Sequence, residues 1–82
     1  MHEQGLQLSQ RIRKVLASVL GIPIERLRDD ASVETVEEWD SLKQINLIMA
    51  LEEEFSVRFE DDDVMELTSF DRIVKKLEAL TG

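Results

Sequence analysis

The residues of this sequence whose types and spacing best suit chemistry are Asp40 and Ser41, which precede an apolar-rich stretch, residues 42–55. A serine hydroxyl can act as a nucleophile, but it then needs a base and a third group that orients the base. The single histidine is His2, next to the N-terminus, and the chain has neither cysteine nor tyrosine. The composition therefore predicts a protein that is not an enzyme, and Ser41 taken alone is most simply a helix cap.

The acidic run at residues 60–63 is a candidate metal site. The twelve-residue calcium loop needs acidic ligands at alternate positions, a glycine at the sixth position and a glutamate at the twelfth. If Asp61 takes the first position, Glu66 stands in place of the glycine and Arg72 in place of the last glutamate. The pattern fails, so we expect no bound metal and a solvated helix start instead.

The strongest global feature is charge. The chain has 18 acidic and 10 basic residues, for a net charge of −8. Such a chain repels phosphate backbones, so we expect no nucleic-acid partner. Its protein partners should present basic patches, which steer association with an acidic surface.

The length of 82 residues predicts one domain, residues 1–82. No apolar run approaches the roughly 20 residues that span a bilayer, so we expect no stable membrane insertion. Residues 1–5 lack the basic and apolar regions of a secretory signal. The absence of cysteine fits a reducing compartment, and we expect a free-standing cytoplasmic protein.

Apolar residues recur with helical spacing in three segments, which predicts three main helices. The first spans residues 3–20, the second runs from about 41 to 55, and the last spans 70–80. Gly21 is the residue expected to end the first helix, because glycine adopts the left-handed conformation of a C-terminal cap.

Two further segments complete the fold. Residues 60–66 predict a short helix with acidic residues in its first turn, which suits the helix dipole. The long loop between the first two helices, residues 22–40, has no sustained period beyond one helical turn after Pro23. Apolar residues at every third position should anchor this loop: Val33, Val36 and Trp39. The sequence thus predicts an all-α fold, a small four-helix bundle with three main helices and one short one.

Two residues compete to cap the second helix. Asp40 and Ser41 can both accept a hydrogen bond from a first-turn amide, and Ser41 with Gln44 matches a capping box. We favour Asp40, because Ser41 would then lie in the first turn with a free hydroxyl. Thr68 or Ser69 is expected to cap the last helix.

The motif Asp40-Ser41-Leu42, followed by residues 47–55, resembles the acyl carrier proteins. The resemblance extends from about residue 8 to residue 80 and includes the long acidic loop and the closing helix with its Thr-Ser-Phe start. It implies that a phosphopantetheinyl transferase attaches 4′-phosphopantetheine from coenzyme A to Ser41. The thiol of that arm would hold acyl groups as thioesters for fatty-acid, lipid or specialised-metabolite synthesis. The reactive group is then imported, which agrees with a chain that has no thiol or catalytic base.

The resemblance also implies further site residues and a monomeric protein. The partner enzymes would be acyl-transferring, condensing or ligating enzymes with basic docking patches. The residues expected to face them are Lys43, Asn46, Met49, Glu52 and Glu53. The residues expected to line a space for the acyl chain are Ile48, Leu51, Phe59, Val64 and Leu67.

The chain departs from the family pattern near the serine. Fatty-acid carriers usually have acidic residues where this chain has Lys43 and Asn46, and a small residue where it has Trp39. We therefore expect a stand-alone carrier of a dedicated pathway rather than of bulk fatty-acid synthesis. Two alternatives stay open: an aminoacyl or peptidyl carrier, and an unmodified acidic helical module that binds other proteins.

Overall fold

The computed structural model describes residues 2–81, with side chains from residue 7 onward; the side chain of His2 lies outside that part. Within it, the four α-helices are α1 (His2–Leu20), α2 (Ser41–Phe55), α3 (Asp61–Glu66) and α4 (Phe70–Thr81). A short 3₁₀ helix, Ile24–Arg26, forms the predicted turn after the proline. The all-α architecture with three main helices and one short helix is confirmed.

The core lies where α1 packs against both α2 and α4. Ile12, Leu16 and Leu20 form the apolar stripe of α1 and are buried. Leu47 and Leu51 meet them from α2, and both are inaccessible to solvent. This packing fixes which face of α2 points inward, and so determines which of its residues remain at the surface. No helix among the described residues is long and apolar enough to cross a membrane.

Gly21 ends α1 as predicted, with a φ of 69°. The amides of Gly21 and Ile22 both donate to the carbonyl oxygen of Ala17, at 2.9 and 3.2 Å. A hydrogen bond from the residue after the left-handed glycine back to this carbonyl is typical of a Schellman cap. The buried Ile22 side chain then directs the chain into the long loop.

Backbone hydrogen bonds hold the long loop as much as its apolar side chains do. Val36 and Trp39 are buried as predicted, but the Val33 side chain is 38% exposed, so the prediction that it anchors the loop was wrong. Val33 lies in a turn, and its amide instead donates to the carbonyl oxygen of Thr68 at 3.0 Å. The amide of Phe70 donates to Ala31 at 2.9 Å, so the loop is fixed to the start of α4.

Arg13 of α1 also contacts the loop and α4. Its guanidinium donates to the carbonyl of Leu27, pairs with Asp29 at 3.0 Å and lies 4.4 Å from the centre of the Phe70 ring. The cap of α4 is Ser69, whose hydroxyl accepts from the amide of Arg72 at 3.1 Å. These contacts hold the start of α4 and the first half of the loop close to α1.

Candidate functional site

Asp40 caps α2, which confirms the predicted preference for Asp40 over Ser41. Its carboxylate accepts a hydrogen bond from the amide of Lys43 at 2.9 Å, and its carbonyl accepts from the amide of Gln44 at 2.9 Å. Asp40 has the extended backbone that an N-cap requires, with φ −104° and ψ −174°. Ser41 is consequently the first residue of the helix proper.

The Ser41 side chain is exposed and has no hydrogen-bond partner among residues 7–81. The helix holds its backbone, so its hydroxyl projects from a defined position rather than from a mobile segment. An exposed hydroxyl at a fixed position can be the acceptor in a group transfer performed by another enzyme.

The alternative capping box between Ser41 and Gln44 does not form, because Gln44 turns inward. Its side chain is only 8% exposed. Gln44 Oε1 accepts from the indole nitrogen of Trp39 at 2.7 Å, and Nε2 donates to the carbonyl oxygens of Val64 and Leu67 at 2.9 and 2.8 Å. The Gln44 side chain therefore links the first turn of α2 by hydrogen bonds to the loop and to the end of α3.

The structural role of Gln44 was not predicted from the sequence. A signal was present: Gln44 shares one helical stripe with Leu47, Ile48 and Leu51, all of which are buried. A polar residue in such a stripe needs a hydrogen-bond partner, because burying an unpaired amide is costly. The sequence could not identify the hydrogen-bond partners of its Nε2, because they lie 20 and 23 residues further along the chain.

An open groove of about 530 Å³ begins beside Ser41, between the start of α2 and α3. The loop contributes Trp39 and Val33, and α3 contributes Val64 and Met65. The remaining lining residues are Asp40, Gln44, Ile45 and Thr68. A flexible group attached to Ser41 would find a largely apolar surface within reach.

The residues expected to line an acyl space differ in how deeply they are buried. Ile48, Leu51 and Leu67 are buried in the core. Phe59 and Val64 are partly buried and pack against it. Of these five residues, Val64 alone lines the groove beside Ser41. The set is therefore buried or partly buried around α2 and α3, and most of it does not line the groove.

The outward face of α2 carries three exposed apolar side chains, although apolar residues at helical spacing are usually buried. Leu42 is 67% exposed, Ile45 53% and Met49 61%. These residues are out of phase with the buried stripe that begins at Gln44, so packing of that stripe turns them towards solvent. Asn46 is exposed beside them.

The other residues expected to face partners differ in their surroundings. Lys43 is partly buried, whereas Glu53 is exposed. Glu52 is partly buried, and its carboxylate accepts a hydrogen bond from the amide of Phe59 at 2.9 Å. Glu52 therefore stabilises the connection after α2, while Glu53 is free to contact another protein.

Two carboxylates near the site have lowered pKa values. A two-bond contact with the Arg26 guanidinium, at 2.8 and 3.0 Å, lowers the pKa of Glu38. A hydrogen bond from the Glu60 amide and, secondarily, the nearby Lys76 ammonium lower the pKa of Asp63 against the effect of its burial. Both carboxylates remain charged at neutral pH. No three acidic or histidine side chains in the described part of the chain are grouped to hold a metal.

Comparison with known proteins agrees with this geometry. The family model for a phosphopantetheine attachment site matches residues 10–77. The acyl carrier protein of Buchnera aphidicola subsp. Schizaphis graminum is 31% identical over 67 residues, which cover 82% of this chain and 85% of that protein. The acyl carrier protein of Nitratidesulfovibrio vulgaris is 34% identical over 62 residues, which cover 76% and 82% of the two chains.

A small helical bundle that presents a free serine and matches these proteins is a carrier that works through an attached prosthetic group. The chain belongs to the acyl carrier protein family. Its prosthetic group is 4′-phosphopantetheine, and its role is to carry acyl groups.

Proposed function

We propose that Ser41 is the residue that carries the phosphopantetheine arm. The observation that supports this choice is that Asp40, not Ser41, caps α2, which leaves the Ser41 hydroxyl exposed and without a partner. The groove beside Ser41 offers apolar surface to a flexible attached chain. Once attached, the arm supplies a thiol that holds acyl groups as thioesters.

The neighbours of Ser41 have separate roles in this proposal. Asp40 fixes the backbone turn that presents the hydroxyl to a phosphopantetheinyl transferase. Leu42, largely exposed, offers apolar contact to the transferase and to later partners. Catalysis is left to those partners, since a carrier holds the acyl group while other enzymes act on it.

We further propose that the outward face of α2 is the surface that partner enzymes contact. Met49 provides an exposed apolar anchor and Glu53 a charge that suits a basic docking patch. Lys43 and Asn46 stand where fatty-acid carriers usually have acidic residues, so this face is less negative near the arm than it is in those carriers. This difference supports a carrier dedicated to one pathway, and efficient elongation by a housekeeping fatty acid synthase would contradict it.

The remaining proposals concern the cargo and the state of the protein. We propose that an acyl chain able to enter the bundle would pack against the buried and partly buried set around α2 and α3: Ile48, Leu51, Phe59, Val64 and Leu67. The protein would act as a monomeric single domain in the cytoplasm, without nucleic-acid partners. These points rest on composition and on the properties of the family.

The test is intact mass after incubation with a broad-specificity phosphopantetheinyl transferase, coenzyme A and magnesium. The native chain should gain one phosphopantetheine group, and Ser41→Ala should gain none. Ser18→Ala is a matched control, because Ser18 is exposed on α1 and its loss should leave the addition unchanged. Addition to Ser41→Ala, or none to well-folded native protein, would contradict the assignment.

A further inference from the structure

The Gln44 side chain lines the groove beside Ser41 and also belongs to the buried stripe of α2. Its Oε1 is bonded to the Trp39 indole at 2.7 Å, and its Nε2 to the carbonyls of Val64 and Leu67 at 2.9 and 2.8 Å. An amide side chain has two N–H donors and one carbonyl acceptor. Each donor and the acceptor of Gln44 is therefore engaged, and the side chain bridges the loop, α2 and α3.

The buried stripe of α2 continues from this bridge into the core. Ile48 and Leu51 follow Gln44 on the same face of α2, one and two turns further on, and both are buried. The groove that starts at Ser41 is lined in part by Gln44 but by neither Ile48 nor Leu51. Along this face of α2, a chain passing from the groove into the core meets the Gln44 side chain before Ile48 or Leu51 and has to displace it.

Such a displacement is unfavourable for an alkyl chain in particular. It would leave the buried indole N–H of Trp39 and the carbonyls of Val64 and Leu67 without their partner. A buried polar group that loses its hydrogen bond costs more than the bond itself contributed. Methylene groups offer neither a donor nor an acceptor, so an entering alkyl chain could not replace what Gln44 supplies.

We propose that Gln44 sets the acyl specificity of this carrier by excluding long alkyl chains from the interior. The cargo then lies along the surface groove against Trp39, Ile45 and Met65, where short or polar acyl groups are well accommodated and a long chain stays exposed to water. This inference rests on the proposed attachment at Ser41. Gln44 is then a specificity-determining residue, because its side chain blocks the entry of an alkyl chain from the groove into the core.

The experiment loads acetyl, hexanoyl and decanoyl groups onto the full chain by using the corresponding acyl-coenzyme A and a broad-specificity transferase. Melting temperature and the methyl NMR signals of Ile48 and Leu51 are then compared for the native chain, Gln44→Ala and Gln10→Ala. The last is the matched control, since Gln10 is an exposed glutamine of α1.

In the native chain and in Gln10→Ala, we expect the melting temperature and the methyl signals to be independent of acyl length. In Gln44→Ala we expect the decanoyl form to melt about 4 °C or more above the acetyl form, as burial of several methylene groups would require. The Ile48 and Leu51 methyl signals should shift only in that variant. If Gln44→Ala does not fold, Trp39→Phe replaces it, because it removes the indole donor to Gln44 while keeping an aromatic ring, and it should show part of the same trend.

Two results would overturn the inference. One is a native chain whose melting temperature rises with acyl length and whose interior methyl signals shift. The other is a folded Gln44→Ala that stays insensitive to acyl length. Failure of every chain to accept any group is a different result, because it would contradict attachment at Ser41 and with it the proposed function.

Discussion

The carboxylate of Asp63 in α3 lies 3.2 Å from the ammonium nitrogen of Lys76 in α4, while its second oxygen accepts the amide of Glu60 at 2.9 Å. Asp63 thus supplies one half of the capping box of α3, a helix of only six residues, and also links this helix to α4. Because the groove beside Ser41 uses α3 as a wall, the placement of Asp63 also affects the candidate site.

The stability contributed by Asp63 should depend on pH. Its pKa is lowered in the folded protein, so its contribution is complete above the ordinary aspartate pKa and is lost as the pH falls through the lowered value. Asp63→Asn keeps an acceptor for the Glu60 amide but loses the charge opposite Lys76. We expect it to cost about 0.5 to 1 kcal/mol at neutral pH, with the difference from the native chain vanishing in acid. Urea unfolding of both chains, from neutral pH down through the ordinary aspartate pKa, measures the difference in free energy of unfolding. A difference that is constant with pH would contradict this role of Asp63.

The division of roles between Asp40 and Ser41 predicts unequal effects of removing them. Asp40→Ala should lower the free energy of unfolding by about 1 kcal/mol, because an N-cap is lost. Ser41→Ala should change it by less than about 0.5 kcal/mol, since the hydroxyl makes no hydrogen bond. Thermal unfolding of the unmodified proteins gives the comparison. Equal losses in both variants would show that Ser41 shares the capping role.

Two adjacent glutamates at the end of α2 should also differ. Glu52→Ala removes the acceptor of the Phe59 amide and should cost about 1 kcal/mol. Glu53→Ala should leave stability nearly unchanged and weaken binding to partner enzymes instead. Unfolding and partner affinity measured for both variants test this, and a Glu52→Ala chain as stable as the native one would rule out the proposed bond.

A substitution at the C-terminal cap of α2 should stabilise the fold. Ser56 has a φ of 55°, the left-handed conformation that costs most residues free energy but suits glycine. We expect Ser56→Gly to raise the free energy of unfolding by about 0.5 kcal/mol, after allowance for the greater freedom of glycine in the unfolded chain. Gly21→Ala is the reciprocal control: its φ of 69° should make the change destabilising, although no atom beyond the glycine and its chain neighbours lies within 4 Å of the new methyl group. A destabilised Ser56→Gly would contradict this account.

The net charge of −8 predicts that the fold is more stable in salt. Screening weakens repulsion among like charges, and about 0.15 M salt suffices for exposed groups. We expect the melting temperature to rise by a few degrees from low to moderate sodium chloride. A flat or falling melting temperature would show that ion pairs such as Arg26 with Glu38 outweigh the repulsion.

The helices were predictable because their signals are local. The spacing of apolar residues along α1 and α4, the glycine after Leu20 and the aspartate before Ser41 each act within a few residues. The inward turn of Gln44 and the exposure of Val33 were not predictable in this way. Gln44 contacts Val64 and Leu67, and the Val33 amide contacts Thr68, all of which are distant in sequence. Apolar type alone also does not determine which face of α2 is buried.

The hydrogen bonds of Gln44 to Val64 and Leu67 have a consequence for biosynthesis. During translation the α2 segment emerges before the residues that complete its first turn have been added. The presentation of Ser41 is therefore finished only when α3 is also available. We expect the transferase to act on completed chains rather than on nascent ones, so that the arm is attached only to carriers that have already folded.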